Sequence, residues 1–321
     1  MRRRDAVDVA VVGGGYSGIS AALWAARYRR RVMVVDGGKQ RNRATAMAHG
    51  YLGFDGASPA AILERARADL SRYRHAEIID GTEVHQVGLL ADGFLLQLSD
   101  DTTCEARRLI LATGVRDLLP EIEGVAEYYG KSVFTCPSCD GYEVQGQAVA
   151  VMGEGDHIPG LALSLLDWAS SVTMIIDPMS SPPQPETPPK VASHGISVIT
   201  GIPRALIGTN GHLESLRLAD GTVVDCEALF CTVGHEQSSD LAKQLGCIFT
   251  DEGCVSVDEH CETSVQHVYA AGDMTPGPHL IQVAAAQGAT AGVAAAQSLR
   301  GETTTSQSPQ PAPDPDRVLS S

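Results

Sequence analysis

The chain alternates short apolar runs with longer stretches of mixed polarity, and the first run sets the pattern. Val7-Asp8-Val9-Ala10-Val11-Val12 is mostly β-branched and stops at three glycines. Such a run, closed by a turn signal, predicts a parallel strand buried on both faces. Residues 17–30 follow with helical composition, rich in alanine and carrying Leu23 and Trp24, and residues 31–36 form a second apolar run ending at Asp36. Strand, helix and strand make one βαβ unit of about 30 residues. Residues 58–73 predict a charged amphipathic helix, with Ser58 as its cap and Pro59 in its first turn. Residues 94–98 and 107–111 read as strands, the second ending at Ala112-Thr113-Gly114.

The pattern then starts again. Residues 148–152 predict a strand, followed by Gly153-Glu154-Gly155, a helix over 159–169 and a strand over 172–176. Residues 178–189 hold six prolines. Proline lacks a donor and clashes inside helices and central strands, so this stretch predicts an exposed loop. Strands return over 197–200, 213–218 and 228–233. After Gly234 the first style resumes: Val268-Tyr269-Ala270-Ala271 closes on Gly272-Asp273, and a long helix is expected over 281–299. The reading is an α/β fold with two Rossmann-like dinucleotide-binding units, the second inserted into the first. Residues 1–116 and 236–302 form the outer domain and 117–235 the inserted one. Residues 303–321, rich in Thr, Ser, Gln and Pro, are expected to be a disordered tail.

Composition narrows the function. Over 321 residues, hydrophobic content of 43% suffices for packed cores in both units. The formal charge of −15 argues against a nucleic-acid partner, because phosphate binding needs a basic surface. Six of the eight cysteines (Cys104, Cys226, Cys231, Cys247, Cys254 and Cys261) lack paired spacing, which does not fit a secreted disulfide framework. A cytoplasmic protein is expected. Arg2-Arg3-Arg4 is followed by no apolar stretch with a cleavage site, and is read as a solvated N-terminus. No segment reaches the roughly 18 apolar residues of a membrane span.

Two motifs carry candidate chemistry. Gly13-Gly14-Gly15-Tyr16-Ser17-Gly18 is GxGxxG between a strand and a helix. Gly13 permits the tight turn, Gly15 lets backbone approach a pyrophosphate, and Gly18 lets helix and strand pack closely. The helix N-terminus offers amide donors to phosphate, and Asp36 closes the next strand where an acid binds ribose hydroxyls. Cys136-Pro137-Ser138-Cys139 is followed at once by Asp140-Gly141. Two cysteines at this spacing can close a reducible disulfide, or supply half of a zinc site. No second CxxC, CxxH or HxxxH completes four ligands, so redox is preferred to metal. Asp140 can then exchange protons with the thiols, or simply form a turn with Gly141.

Taken in order, Gly13–Gly18, Ala112-Thr113-Gly114, Cys136–Gly141, Thr232-Val233-Gly234-His235, Glu262-Thr263-Ser264 and Ala271-Gly272-Asp273 resemble the low-molecular-weight thioredoxin reductase family of flavoproteins, over roughly residues 7–300. The resemblance implies FAD on the first unit. Gly13, Gly15, Ser17, Gly18 and Asp36 would serve its ADP half, Gly272 and Asp273 its ribityl–phosphate region, and Gln282 the isoalloxazine ring. Gln40 and Asn42 would lie in a loop that also contacts the flavin. The cysteine pair would lie against the flavin, with Cys139 facing it, Cys136 attacking an external disulfide, and Asp140 protonating the leaving thiolate. A thioredoxin-like protein or a small-molecule dithiol or disulfide would be the partner, and the protein would be a homodimer.

The second glycine loop departs from that family. Ile158 stands at its sixth position, where the family has Gly or Ala, and Pro159 follows. NADPH-using members present arginines after the next strand; this chain has Asp177-Pro178-Met179-Ser180. NADH or NADPH therefore stays open, as does the direction of electron flow. The alternatives are a dithiol oxidase that passes electrons to oxygen and a flavin redox sensor without turnover. The oxidase relatives carry His after the CxxC, so His49, His157 and His279 are candidate stand-in bases here.

Overall fold

The computed structural model describes residues 2–179 and 187–300; the expected tail over 303–321 lies outside them. The chain divides into two compact units. The first comprises Met1–Gln40, Ala60–Val115 and the chain from Gln237 onward; the second comprises Arg41–Pro59 and Arg116–Glu236.

The first unit is built on one mixed sheet. Strands Ala76–Asp80, Val32–Asp36, Val7–Val12 and Thr102–Leu111 run parallel in that spatial order, and Gly93–Leu98 and Val84–Leu90 continue it antiparallel. The ten-residue strand Thr102–Leu111 serves two neighbours on one side. Its first half pairs with Gly93–Leu98, and Leu109, Ile110 and Leu111 pair with Val268, Tyr269 and Ala270. All six residues of Val7–Val12 are buried, as the apolar run predicts. Asp8 is the exception in chemistry but not in burial. Its carboxylate accepts from the Arg31 amide at 2.8 Å and lies 3.6 Å from the Arg107 guanidinium, so the buried charge is compensated. Parallel pairing places the carboxyl ends of Val7–Val12, Val32–Asp36, Thr102–Leu111 and Val268–Ala270 on one sheet edge. Ligands of open α/β sheets bind at such an edge.

Helices Tyr16–Arg27 and Ile281–Ser298 pack directly on each other. The contact is made of Ala21, Ala22, Ala25, Ala291, Ala295 and two glycines. A methyl group on Gly288 would overlap the backbone of Ser17, and one on Gly292 the backbone of Ala21. The alanine-rich last helix is thus a close-packed core element, and no described helix is long and apolar enough to cross a membrane.

The second unit has a five-stranded all-parallel sheet, ordered Ser197–Thr200, Ser171–Ile176, Ala148–Gly153, Ala228–Thr232 and Val133–Phe134. An antiparallel meander, Pro203–Thr209, His212–Leu218 and Val223–Asp225, packs Leu206, Leu213, Leu216 and Val224 into the core beneath it. Two short strands, Val115–Asp117 and His235–Gln237, pair with each other where the chain enters and leaves this unit.

Two expectations need correction. Residues 41–59 cluster with the second unit, although the sequence places them in the outer domain. Their anchor is Arg41, which grips Asp117 through Nε at 2.9 Å and Nη2 at 2.5 Å while Tyr129 donates to the same carboxylate at 2.7 Å. Burial alone would raise the Asp117 carboxyl, yet Arg41 and Tyr129 hold it below the usual range. The proline-rich stretch ends in a helix, Thr187–Ala192, because Pro188 and Pro189 fall in its first turn, where no amide donor is needed. Arg2 and Arg3 are exposed, as read from the sequence, and also pair parallel with Thr102 and Thr103 while Arg3 meets Glu105 at 2.6 Å.

The helix contact gives a stability prediction. Gly288→Val is expected to cost about 1–3 kcal/mol in urea unfolding, because the helices must separate to admit the side chain. The same substitution at the exposed Gly160, whose Cβ would meet nothing within 4 Å, serves as the comparison.

Candidate functional site

On the first unit, three motifs far apart in sequence converge at the carboxyl edge of the sheet. Gly13 adopts φ +113°, and a methyl group there would overlap the carbonyl of Ala112. A methyl on Gly18 would overlap the carbonyl of Gly13. A methyl on Gly272, at φ +85°, would lie 2.5 Å from Ser17 Oγ. The Gly13–Gly18 loop, Ala112-Thr113-Gly114 and Ala271-Gly272-Asp273 therefore abut with no room for side chains between them. Gly15 differs: nothing lies within 4 Å of its Cβ direction. It caps helix Tyr16–Arg27, whose first turn has no acidic residue and no side-chain cap. A helix N-terminus with an open glycine at its cap is suited to a pyrophosphate.

Asp36 lies at the end of its strand, buried, with its carboxyl against Gly14. It accepts from the Gly38 amide at 2.8 Å, from Gln40 Nε2 at 3.1 and 3.2 Å, and from Arg67 Nη1 at 2.8 Å. These four contacts use both oxygens of the carboxylate, about its full acceptor capacity, so a ribose hydroxyl would displace one of them. These residues fit the adenosine diphosphate half of a flavin dinucleotide. Gln40 acts here by fixing Asp36. Asn42 lies in the short helix Arg41–Ala44, which clusters with the second unit. Asp273 is half-buried in the turn after Val268–Ala270, and Gln282 is exposed on the first turn of the last helix.

Sequence reasoning missed two supports of this edge. Arg67 projects from helix Pro59–Ser71 to Asp36. Gln287 reaches from the last helix to the Gly272 amide at 2.9 Å and the Thr275 hydroxyl at 3.2 Å. Gln287 lies one helical turn and a half beyond Gln282, and its side-chain amide was the only available signal.

On the second unit, Cys136 and Cys139 are joined by a disulfide, with Cα atoms 5.3 Å apart. Cys136 caps the short helix Pro137–Asp140, and its carbonyl accepts from the amides of Cys139 and Asp140 at 3.1 Å each. The tight turn brings the sulfurs together. Gly141 has to be glycine: its Cβ would lie 2.5 Å from the Pro137 carbonyl and 2.6 Å from the Trp168 ring. Asp140 is half-buried, and its pKa is pushed up to about 6 by burial and by the nearby Glu143, with His49 pulling it back. The other six cysteines are buried thiols. Burial pushes Cys104 and Cys261 up to about 11 and Cys226 and Cys231 up to about 12, which removes thiolate character near neutrality. Among the described residues, no group of three or more metal-ligating side chains is placed to hold an ion.

The second glycine loop is less open than the first. Ile158 is buried, with its Cδ1 2.6 Å from where a Gly153 Cβ would lie. It is tolerated because Gly153 leaves that space. The His157 ring lies 3.5 Å from the Cβ direction of Gly155, and its Nε2 is 2.6 Å from Thr232 Oγ1. Glu154 and Asp156 add two exposed carboxylates to the same turn. Asp177, at the end of Ser171–Ile176, accepts from the Met179 amide at 2.8 Å.

Comparison with known proteins decides the family. Residues 7–288 match the model for pyridine nucleotide-disulphide oxidoreductases. The chain belongs to that family. Membership implies FAD together with a nicotinamide dinucleotide, and the first unit's open glycine loop suits the FAD. This pyridine nucleotide-disulphide oxidoreductase is 38% identical to thioredoxin reductase tcpT of Claviceps purpurea over 48% of this chain and 49% of that one, so it spans about half of that relative's length. It is 28% identical to thioredoxin reductase sirT of Leptosphaeria maculans, over 83% of this chain and 86% of that one. An oxidoreductase structure from Agrobacterium tumefaciens superposes with a TM-score of 0.85 at 31% identity, covering 93% of this chain and all of the other.

The contrast among cysteines is directly measurable. After mild reduction, iodoacetamide at pH 7.5 is expected to label Cys136 and Cys139 and to leave the six buried thiols unmodified until denaturant is added, as read by mass spectrometry.

Proposed function

We propose that this protein is an FAD-dependent thiol–disulfide oxidoreductase of the thioredoxin-reductase type. It passes electrons between FAD, the Cys136–Cys139 couple and an external thioredoxin-like protein or small-molecule disulfide. The observation that carries this reading is a closed disulfide followed at once by a carboxyl group whose pKa is pushed up to about 6. A group that titrates there can both give and take a proton near neutrality.

FAD, when bound, supplies a two-electron reservoir suited to a disulfide. The chain's own residues do the rest. The Gly13–Gly18 turn and the N-terminus of helix Tyr16–Arg27 would hold the pyrophosphate, and Asp36 would take a ribose hydroxyl. Cys136 is the sulfur that an external thiol or disulfide engages, and Cys139 resolves the mixed disulfide. Asp140 supplies the proton to the sulfur that leaves and reclaims it on the return. The names of the relatives favour this reductase reading over the oxygen-accepting oxidase and the sensor. A reducing cytoplasm suits the six cysteines that remain thiols. The homodimer is supported by the family resemblance alone.

For the nicotinamide partner we propose NADH rather than NADPH. Asp177 would repel a 2′-phosphate, whereas a free ribose diol can donate to it.

Two experiments test these readings. Anaerobic titration of the yellow holoprotein with dithiothreitol, followed at the flavin band, should bleach the wild type. Cys139→Ser should retain FAD and lose the bleaching, and unchanged bleaching would rule out the assignment. Asp177→Arg should raise the preference for NADPH over NADH about tenfold or more in stopped-flow reduction, equivalent to about 1.4 kcal/mol; a response to neither dinucleotide would exclude the second unit as the entry point.

A further inference from the structure

Beside the redox pair, one side chain is held in place by a loop with no other evident task. Residues 48–57 form a closed loop: the Ala48 amide donates to the Ala57 carbonyl at 2.8 Å, and the Gly56 amide to the Ala48 carbonyl at 3.0 Å. Inside it, the Gly50 amide donates to Asp55 Oδ1 at 2.8 Å. The same Asp55 oxygen lies 3.7 Å from His49 Nδ1, while His49 Nε2 lies 3.4 Å from Glu143 Oε1. Glu143 belongs to the short helix Tyr142–Val144 that follows the redox turn. The imidazole therefore bridges a carboxylate of its own loop and one of the CxxC segment. All these residues lie in the second unit.

We propose that His49 is a positioning residue of the redox couple, which sets the protonation of Asp140 through its contact with Glu143. The inference rests on the reading of Asp140 as the acid of the Cys136–Cys139 couple. The groups acting on Asp140 are few. Glu143 raises its proton affinity and His49 lowers it. Helix Ile158–Leu165, packed on the redox turn, carries no charged residue. Around His49 itself stand Asp55 and Glu143. With so small a set, the His49–Glu143 contact controls the net charge that Asp140 meets.

The chemistry served by this arrangement balances without a further reagent. An external dithiol attacks the Cys136–Cys139 bond with one sulfur after its proton passes to Asp140. A mixed disulfide with Cys136 forms, and Cys139 leaves and takes that proton. The second sulfur of the dithiol then displaces Cys136, which receives the second proton. The substrate ends as a disulfide, oxidised by two electrons, and the protein couple as two thiols. The reverse sequence reduces an external disulfide. In either direction Asp140 must lose and regain a proton in each cycle. His49 beside Glu143 favours the ionised Asp140 carboxylate, and removing it favours the neutral acid.

The test is a carboxyl ¹³C NMR titration of Asp140 in the oxidised holoprotein, assigned by the loss of its signal in Asp140→Asn. His49→Gln should raise the midpoint by about half a pH unit or more, and Glu143→Gln should lower it by a similar amount. Asp55→Asn, at an exposed side chain, loosens His49 without touching the redox turn and should shift the midpoint in the His49→Gln direction. Midpoints that do not move, or that move the same way in His49→Gln and Glu143→Gln, would overturn the inference. The underlying reading fails separately: it is lost if Asp140→Asn leaves the pH profile of exchange with dithiothreitol unchanged.

Discussion

Backbone lying directly on backbone is the constraint on which the first unit depends. Gly13 against Ala112, Gly18 against Gly13, Gly288 against Ser17 and Gly292 against Ala21 are four places where even a methyl group would collide. Together they clamp the first strand, the first helix, the central strand Thr102–Leu111 and the last helix into one block. Because those strands are parallel, the block presents its turns on a single edge.

The redox turn follows a different logic. Its shape is local: a four-residue helix capped by Cys136, closed by a glycine under the Trp168 ring. Its chemistry is not local. The proton affinity of Asp140 depends on burial, on Glu143 three residues away and on His49, which arrives from a segment nearly a hundred residues earlier. Arg41, gripping Asp117 at the base of that segment, is what assigns it to the second unit. The remaining six cysteines are buried free thiols, set apart by burial from the Cys136–Cys139 disulfide.

The two glycine loops show how one pattern can diverge. Both follow a buried parallel strand and precede a helix. In the first, the sixth position is glycine and the turn faces open space. In the second, Ile158 fills the space beside Gly153, His157 bonds Thr232 across the turn, and two carboxylates flank it. The difference lies in backbone as well as side chains: Gly155 is at φ +91° where Gly15 is at φ −76°, and the second helix begins at Ile158, two positions later in its motif than Tyr16 in the first.

The order of strands and helices was legible in the sequence because buried parallel strands are continuous apolar runs and their turns are marked by glycine. The glycine loop, Asp36 and the cysteine pair could be named for the same reason: their roles depend on spacing along the chain. Tertiary structure alone decided what crosses from one element to another. It grouped residues 41–59 with the second unit, recruited Arg67 to Asp36 and Gln287 to Gly272, and brought His49 beside Glu143. Those contacts join residues whose distance along the chain carries no periodic signal, so only the folded packing could bring them together.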